Sequence, residues 1–249
     1  MSICIEIKNL SKIFKTKENF KVDALKDINF SVEENEFISI VGPSGCGKST
    51  LLRIIASLET STDGTVIYRG EELNLPSSDI GMVFQNYSLL QWKTVIDNIG
   101  LGLEFKKVKK NERREKAKEY LKLINMEGFA KAYPYELSGG MQQRVAIARA
   151  LVTNPDVLLM DEPFGALDAH TRIILQGELL NIWQKNKKTI LFVTHSVDEA
   201  IYLSDKIIVM GRNPGTIKEI INVDMIRPRV RSNPEYGKLT DKILNMLEH

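Results

Sequence analysis

Cysteine is scarce in this chain: 249 residues contain only Cys4 and Cys46. Two thiols so far apart form neither a metal-ligand spacing nor a disulfide framework, so the reading is two reduced side chains. Long hydrophobic runs are missing too. No apolar stretch reaches the ~18 residues that suggest a membrane span. Neither sign of charge dominates: the formal net charge is +2, too small to argue for nucleic acid as a partner. Internal repeats and low-complexity segments are absent. What remains is 43% hydrophobic and 27% charged, ordinary for a globular protein, and the length allows a substantial core in one large α/β domain or two modest ones. The opening Met1–Ile7 alternates like a strand and lacks the basic-then-apolar layout of a signal peptide. The expectation is a cytosolic chain that reaches a membrane only through a partner.

Periodicity predicts strands over Ile3–Leu10, Ala24–Val32 and Glu36–Val41, with Asn9, Lys17–Asn19 and Glu33–Asn35 as polar turns. A helix follows over Ser49–Leu58, then strands over Gly64–Tyr68 and Ile80–Gln85. From Val95 to about Tyr133 the pattern is helical, with Ala117, Tyr120, Leu121 and Ile124 on one face. Lys and Arg crowd this stretch between Lys106 and Lys118, either as a solvated face supported by Glu112–Lys116 or as a contact for lipid headgroups. After Ser138 come a helix over Gly140–Val152, a strand over Val157–Asp161, a helix over Ala169–Lys185, a strand over Thr189–Thr194, a helix over Val197–Leu203 and a strand over Lys206–Met210. Such alternation predicts a largely parallel sheet covered by helices. The tail beyond Arg212 is interrupted by Pro214, Pro228 and Pro234 and is expected to close with a short amphipathic helix over Leu239–Leu247.

Gly42-Pro43-Ser44-Gly45-Cys46-Gly47-Lys48-Ser49-Thr50 matches G-x-x-x-x-G-K-[ST], placed after an apolar strand and before a helix. Its glycines let successive N–H groups point inward, and the helix N-terminus adds partial positive charge. Lys48 is placed to reach the β- and γ-phosphates, and the Ser49 hydroxyl to ligate Mg²⁺. Cys46 lies within the loop, where oxidation would obstruct a nucleotide. Downstream, the apolar run Val157–Met160 ends abruptly in Asp161-Glu162-Pro163. A buried strand delivering carboxylates at its carboxyl end puts them where open α/β sheets bind ligands, although alone they read equally well as a solvated strand end. Leu137-Ser138-Gly139-Gly140-Met141-Gln142 opens a helix, with Ser138 as the cap and two glycines admitting a phosphate to bare N–H groups.

This ordered set, a phosphate loop, then Leu-Ser-Gly-Gly-x-Gln, then the acidic strand end, resembles the ATP-binding subunit of an ABC transporter nearly end to end. The resemblance implies a P-loop NTPase core with an N-terminal antiparallel β subdomain and a helical subdomain inserted at about 86–150. It implies an ATPase domain over 1–211 and a tail over 212–249. Asp161 resembles the residue that holds Mg²⁺, Glu162 the general base, Gln85 the glutamine that senses the γ-phosphate and metal, and His195 the switch histidine. Ser138, Gly139 and Gly140 would contact the γ-phosphate held by a second subunit, and Asp168 would reach that subunit's site. Phe14 stands where the family stacks a tyrosine on adenine, or is a core ring. ATP and Mg²⁺ are the implied cofactors. A second copy of the ATPase, membrane permease subunits and an extracytoplasmic solute-binding protein are the implied partners, at the cytoplasmic face of the membrane.

Ser88–Ile99 resembles the surface of importers that receives the permease, with Gln91 replacing the usual proline before Trp92. Met210–Ile217 with Arg227–Arg231 looks like the nitrate/sulfonate/taurine class of importers, whose solutes include small anions and vitamin precursors. Two alternatives stand beside this reading. One is an ABC-type ATPase acting as a nucleic-acid-linked mechanical switch, against which the single cassette and lack of sustained heptads weigh. The other is a small-molecule kinase, in which Ser138–Gly140 and His195 have no role.

Overall fold

The computed structural model describes residues 2–15 and 21–248, apart from the side chain of Asn186. The chain forms two compact units, residues 1–77 with 188–249, and residues 78–187. The expected turn at Lys17–Asn19 lies outside the described residues.

In the first unit, β1 (Ile3–Lys15) pairs antiparallel with β2 (Lys21–Glu33) and with β4 (Asp63–Tyr68), to which β5 (Glu71–Glu72) adds an edge. Strand β1 is longer than the sequence suggested. Asn9 does not end it; this residue adopts φ 50° at a register shift between Ile7 and Leu10, so the strand bulges and continues. The second sheet of this unit is mixed. β3 (Phe37–Val41) runs parallel to both β8 (Thr189–Thr194) and β9 (Lys206–Met210), and β10 (Ile217–Asn222) closes antiparallel on β9. Strands β3 and β8 are buried along their whole length, hence their apolar runs with no alternation. α1 (Lys48–Ile55) and α7 (Val197–Leu203) pack on β8 and β3 respectively.

The tail departs from expectation. It contributes strand β10, and its helix α8 (Pro234–Glu248) begins at Pro234, whose fixed φ suits a first helical turn. Tyr236 and Ile243 of α8 join a core with Val197, Ala200, Ile201 and Val209. Three arginines bind the tail to α7. Arg229 is buried and donates to the carbonyls of Ile201 (2.6 Å) and Ser204 (2.5 Å), which the end of α7 leaves open, and to those of Val223 (2.9 Å) and Met225 (3.0 Å) in the tail. Burial, with the nearby Arg227 charge, pulls its pKa down to about 10. Arg227 pairs with Asp205 and donates to Leu203 O. Arg231 forks onto Asp198 at 2.8 and 3.0 Å, and the Tyr236 hydroxyl donates to the same carboxylate at 2.7 Å.

In the second unit, β6 (Ile80–Val83) runs parallel to the fully buried β7 (Val157–Asp161). The expected helical stretch resolves into α2 (Val95–Ile99), α3 (Leu101–Phe105) and α4 (Lys110–Leu123), followed by α5 (Gly139–Leu151) and α6 (Ala169–Asn186). Ala117 and Leu121 of α4 face inward. Three of its cations have local partners: Arg114 forks onto Asp97 at 3.1 Å, Arg113 lies 3.5 Å from Glu104, and Lys118 pairs with Glu115 at 2.7 Å. Among the described residues no helix is long and apolar enough to cross a membrane.

Replacing Arg229 by Met would keep much of the side-chain volume and strand the carbonyls it binds. The expected loss is about 3 kcal/mol of stability, read as a lowered urea midpoint.

Candidate functional site

Parallel pairing sets Val41 of β3 opposite Thr194 of β8, so Gly42 and His195 follow at the same end of neighbouring strands. His195 is exposed there. From Gly42 the chain curls through Gly45 (φ 79°) and Gly47 (φ 91°), backbone that side chains resist, before α1 begins at Lys48. Ser49 and Thr50 lie in the first turn of that helix. The Lys48 ammonium donates to the carbonyls of Gly42 (2.8 Å) and Pro43 (3.1 Å), which holds it over the loop made with Ser44 and Cys46. Cys46 and Cys4 are buried and in no disulfide, in keeping with two reduced side chains; burial pushes the Cys46 thiol up despite Lys48 nearby.

Main chain fills the underside of the loop. A Cβ on Gly47 would meet Leu25 Cδ2 at 2.6 Å and Ala24 O at 2.8 Å. Gly215 lies against the same strand, donating to Ala24 O at 3.2 Å and accepting from Lys26 N at 2.9 Å. A Cβ on Gly215 would collide with the Cys46 carbonyl. Phe14, on β1, is 38% exposed, which decides against a core ring.

The second unit gathers the acids. Asp161 ends β7 and is buried, while Glu162 turns off the strand at φ 43°, a conformation unusual for a non-glycine residue. Gln85 lies two residues beyond the end of β6 rather than on the strand, and its Nε2 donates to Glu162 Oε2 at 3.2 Å. The structure therefore brings these two together. It also joins two elements expected to face a second subunit. Ser138 caps α5, accepting from Met141 N at 3.4 Å. A Cβ on Gly139 would touch Leu167 at 3.5 Å, and one on Gly140 would meet Thr171 at 2.7 Å. Between those contacts sits Asp168, the cap of α6, whose carboxyl is held below its usual range by the Thr171 amide at 3.0 Å.

The donor set fits a polyphosphate. The loop offers left-handed glycines, an ammonium and a helix N-terminus, and leaves no room for a side chain on Gly42, where a Cβ would meet Cys46 Sγ at 2.7 Å. Among the described residues no group of three or more His, Cys, Asp or Glu could hold a metal.

Residues 25–165 match the family model described as ABC transporter. The chain belongs to the ABC transporter family. This ABC protein is 56% identical, over 100% of its own length and 92% of the relative's, to an uncharacterized ABC transporter ATP-binding protein of Methanocaldococcus jannaschii. It is 46% identical to an aliphatic sulfonates import ATP-binding protein of Bacillus thuringiensis, covering 98% of this chain and 96% of that one. A taurine import ATP-binding protein of Rhizobium johnstonii is 43% identical, with 98% and 96% covered. Among solved structures, the dimeric cassette MJ0796 aligns with a TM-score of 0.79 at 38% identity, over 89% of this chain and all of that one. The fold is that of the ABC cassette, with an antiparallel β subdomain, a mostly parallel sheet and covering helices. The protein is an ATPase that hydrolyses ATP for transport.

Two supports of this ABC ATPase were not visible in its sequence. Residues 86–94 have no helix or strand of their own, and Tyr87 and Ser88 both have positive φ. Arg149, from α5, donates to the carbonyls of Tyr87 and Ser88 at 2.6 Å each. Asn98, wholly buried, accepts from Leu90 N (2.8 Å) and donates to the carbonyls of Leu90, Lys93 and Thr94. Around Gln91 the loop is thus held by an amide and a guanidinium rather than by proline, while Trp92 is 74% exposed. The only available signal was a buried-type polar residue inside an apolar helical pattern at Asn98.

Asn98→Ala should cost about 2 kcal/mol, seen as a lowered urea midpoint. Gly215→Ala should weaken ATP binding on the order of tenfold by calorimetry, because the phosphate loop must shift. Gly237→Ala on α8, where the new methyl meets nothing within 4 Å, should leave ATP binding unchanged.

Proposed function

We propose that this chain is the ATP-hydrolysing subunit of an ABC importer for a small anion of the sulfonate, taurine or nitrate kind. The end-to-end identity with an aliphatic sulfonates import ATP-binding protein carries this reading, since the match includes the tail as well as the cassette. In it, the loop of residues 42–50 binds the phosphates of ATP through Lys48 and the main-chain N–H groups, of which Pro43 has none, and Phe14 stacks on the base. Ser49, Gln85 and Asp161 are the residues that would hold Mg²⁺. Glu162 takes the proton of the attacking water, and the contact from Gln85 keeps its carboxylate aimed. His195 bonds the γ-phosphate. The bound cation would neutralise charge on the phosphate oxygens.

Ser138, Gly139, Gly140 and Asp168 act on a second copy of the chain. Their adjacency on one unit supports a single face presented to that copy, and the dimeric relative supports the stoichiometry. ATP then binds the closed pair better than the open one and drives dimerisation. Permease subunits, docked at 88–99 around the exposed Trp92, hold the chain at the cytoplasmic face of the membrane and receive solute from an extracytoplasmic binding protein.

Glu162→Gln should bind ATP yet turn over at most about a thousandth as fast, and should elute as a dimer with Mg-ATP. Ser138→Arg added to it should restore the monomer. Normal turnover by Glu162→Gln would remove its role as base, and a monomer under all conditions would remove the ATP-driven dimer. For the solute, ATPase activity of the reconstituted complex should rise with a sulfonate, taurine or nitrate and its binding protein; no response to any of them would overturn the anion class.

A further inference from the structure

Lys12 stands on β1 two residues before Phe14, the spacing of same-face neighbours on a strand. It is only 7% exposed, so its ammonium has been taken out of water. Such burial is costly unless the charge is paired, and here the partners are built in. Lys12 Nζ donates to Glu59 Oε1 at 2.7 Å and to the Thr60 carbonyl at 2.6 Å, and it stands over the Phe14 ring, 4.8 Å from the centroid. The hydrogen bond from Lys12 holds the Glu59 carboxyl below its usual range.

Glu59 and Thr60 belong to the turn that follows α1, the helix whose first residue is Lys48 of the phosphate loop. Thr62 ties the same turn to β1. Its amide donates to Ser11 O at 2.8 Å, and its hydroxyl oxygen accepts from Ile13 N at 2.9 Å. Of these attachments, Lys12 is the one that also touches the ring.

We propose that Lys12 is a positioning residue for the base of the nucleotide: it covers one face of Phe14, leaving the other for stacking, and clamps that platform to the helix bearing the phosphate loop. The proposal rests on the assignment of Phe14 as the base-stacking ring. A ring fixed before binding loses less rotamer freedom when a base arrives, and the spacing from base to phosphates is set in advance.

The test compares ATP with inorganic tripolyphosphate, which offers phosphates without a base, by calorimetry in the presence of Mg²⁺. Lys12→Met keeps the apolar stem and removes the charge. It should weaken ATP roughly fivefold and leave tripolyphosphate unchanged. In a Phe14→Ala background it should cause no further loss, because the ring it positions is gone. Lys12→Arg should retain most of the ATP affinity. Should Lys12→Met not fold, Glu59→Gln loosens the same clamp and is expected to show the same selective loss.

Equal weakening of both ligands would overturn the proposal, since Lys12 would then only support the phosphate helix. So would losses that add in the double variant. If Phe14→Ala binds ATP as tightly as the parent, the stacking assignment falls and takes the proposal with it. If Phe14→Ala weakens ATP and Lys12→Met does not, the proposal alone falls.

Discussion

Holding phosphate with main-chain amides requires a backbone curled so tightly that its N–H groups converge, and the first unit is arranged around that requirement. The curl uses left-handed glycines at 45 and 47, and it needs a rigid strand before it and a helix after it. Buried β3 supplies the first, and α1 the second. Because Gly47 has no side chain, Ala24 and Leu25 of β2 approach directly from below, and Gly215 packs behind them against Cys46. An antiparallel strand and a tail turn are thus built into the floor of an anion site.

A different constraint governs the second unit. Its functional segments are irregular chain, and irregular chain carries backbone groups that no ladder satisfies. Side chains from neighbouring helices meet that need. Arg149 and Asn98 bind the carbonyls and amide of residues 87–94, and Ser138 and Asp168 cap the helices they begin. Glu162 is held in the left-handed region at the turn that follows a buried strand, with Gln85 on its carboxylate. Strain and satisfaction therefore occur side by side at the residues assigned to chemistry.

Much of this was legible in the sequence because local chemistry decides it. Val157–Asp161, Thr189–Thr194, Val197–Leu203 and Lys206–Met210 have the bounds that periodicity and caps indicate. The phosphate loop announces itself through its glycines and its place between strand and helix. What escaped depends on partners distant in the chain. Strand β10 is a short segment whose alternation gains meaning only beside β9, and Asn9 looks like a turn until β2 and β4 pair across its bulge. The roles of Arg149 and Arg229 have no local signal, since the carbonyls they bind lie 62 and 28 residues away.

The tail's contact with the loop bears on how such chains can diverge. Gly215 touches the carbonyl of Cys46 through main chain alone, so no compensating side-chain change on either partner can relieve a bulkier residue there. Recombination that joined this cassette to a tail with a side chain at that turn would misshape the phosphate loop, however well the two segments folded separately. The tail turn and the loop therefore constrain each other sterically, even though more than 160 positions separate them in the sequence.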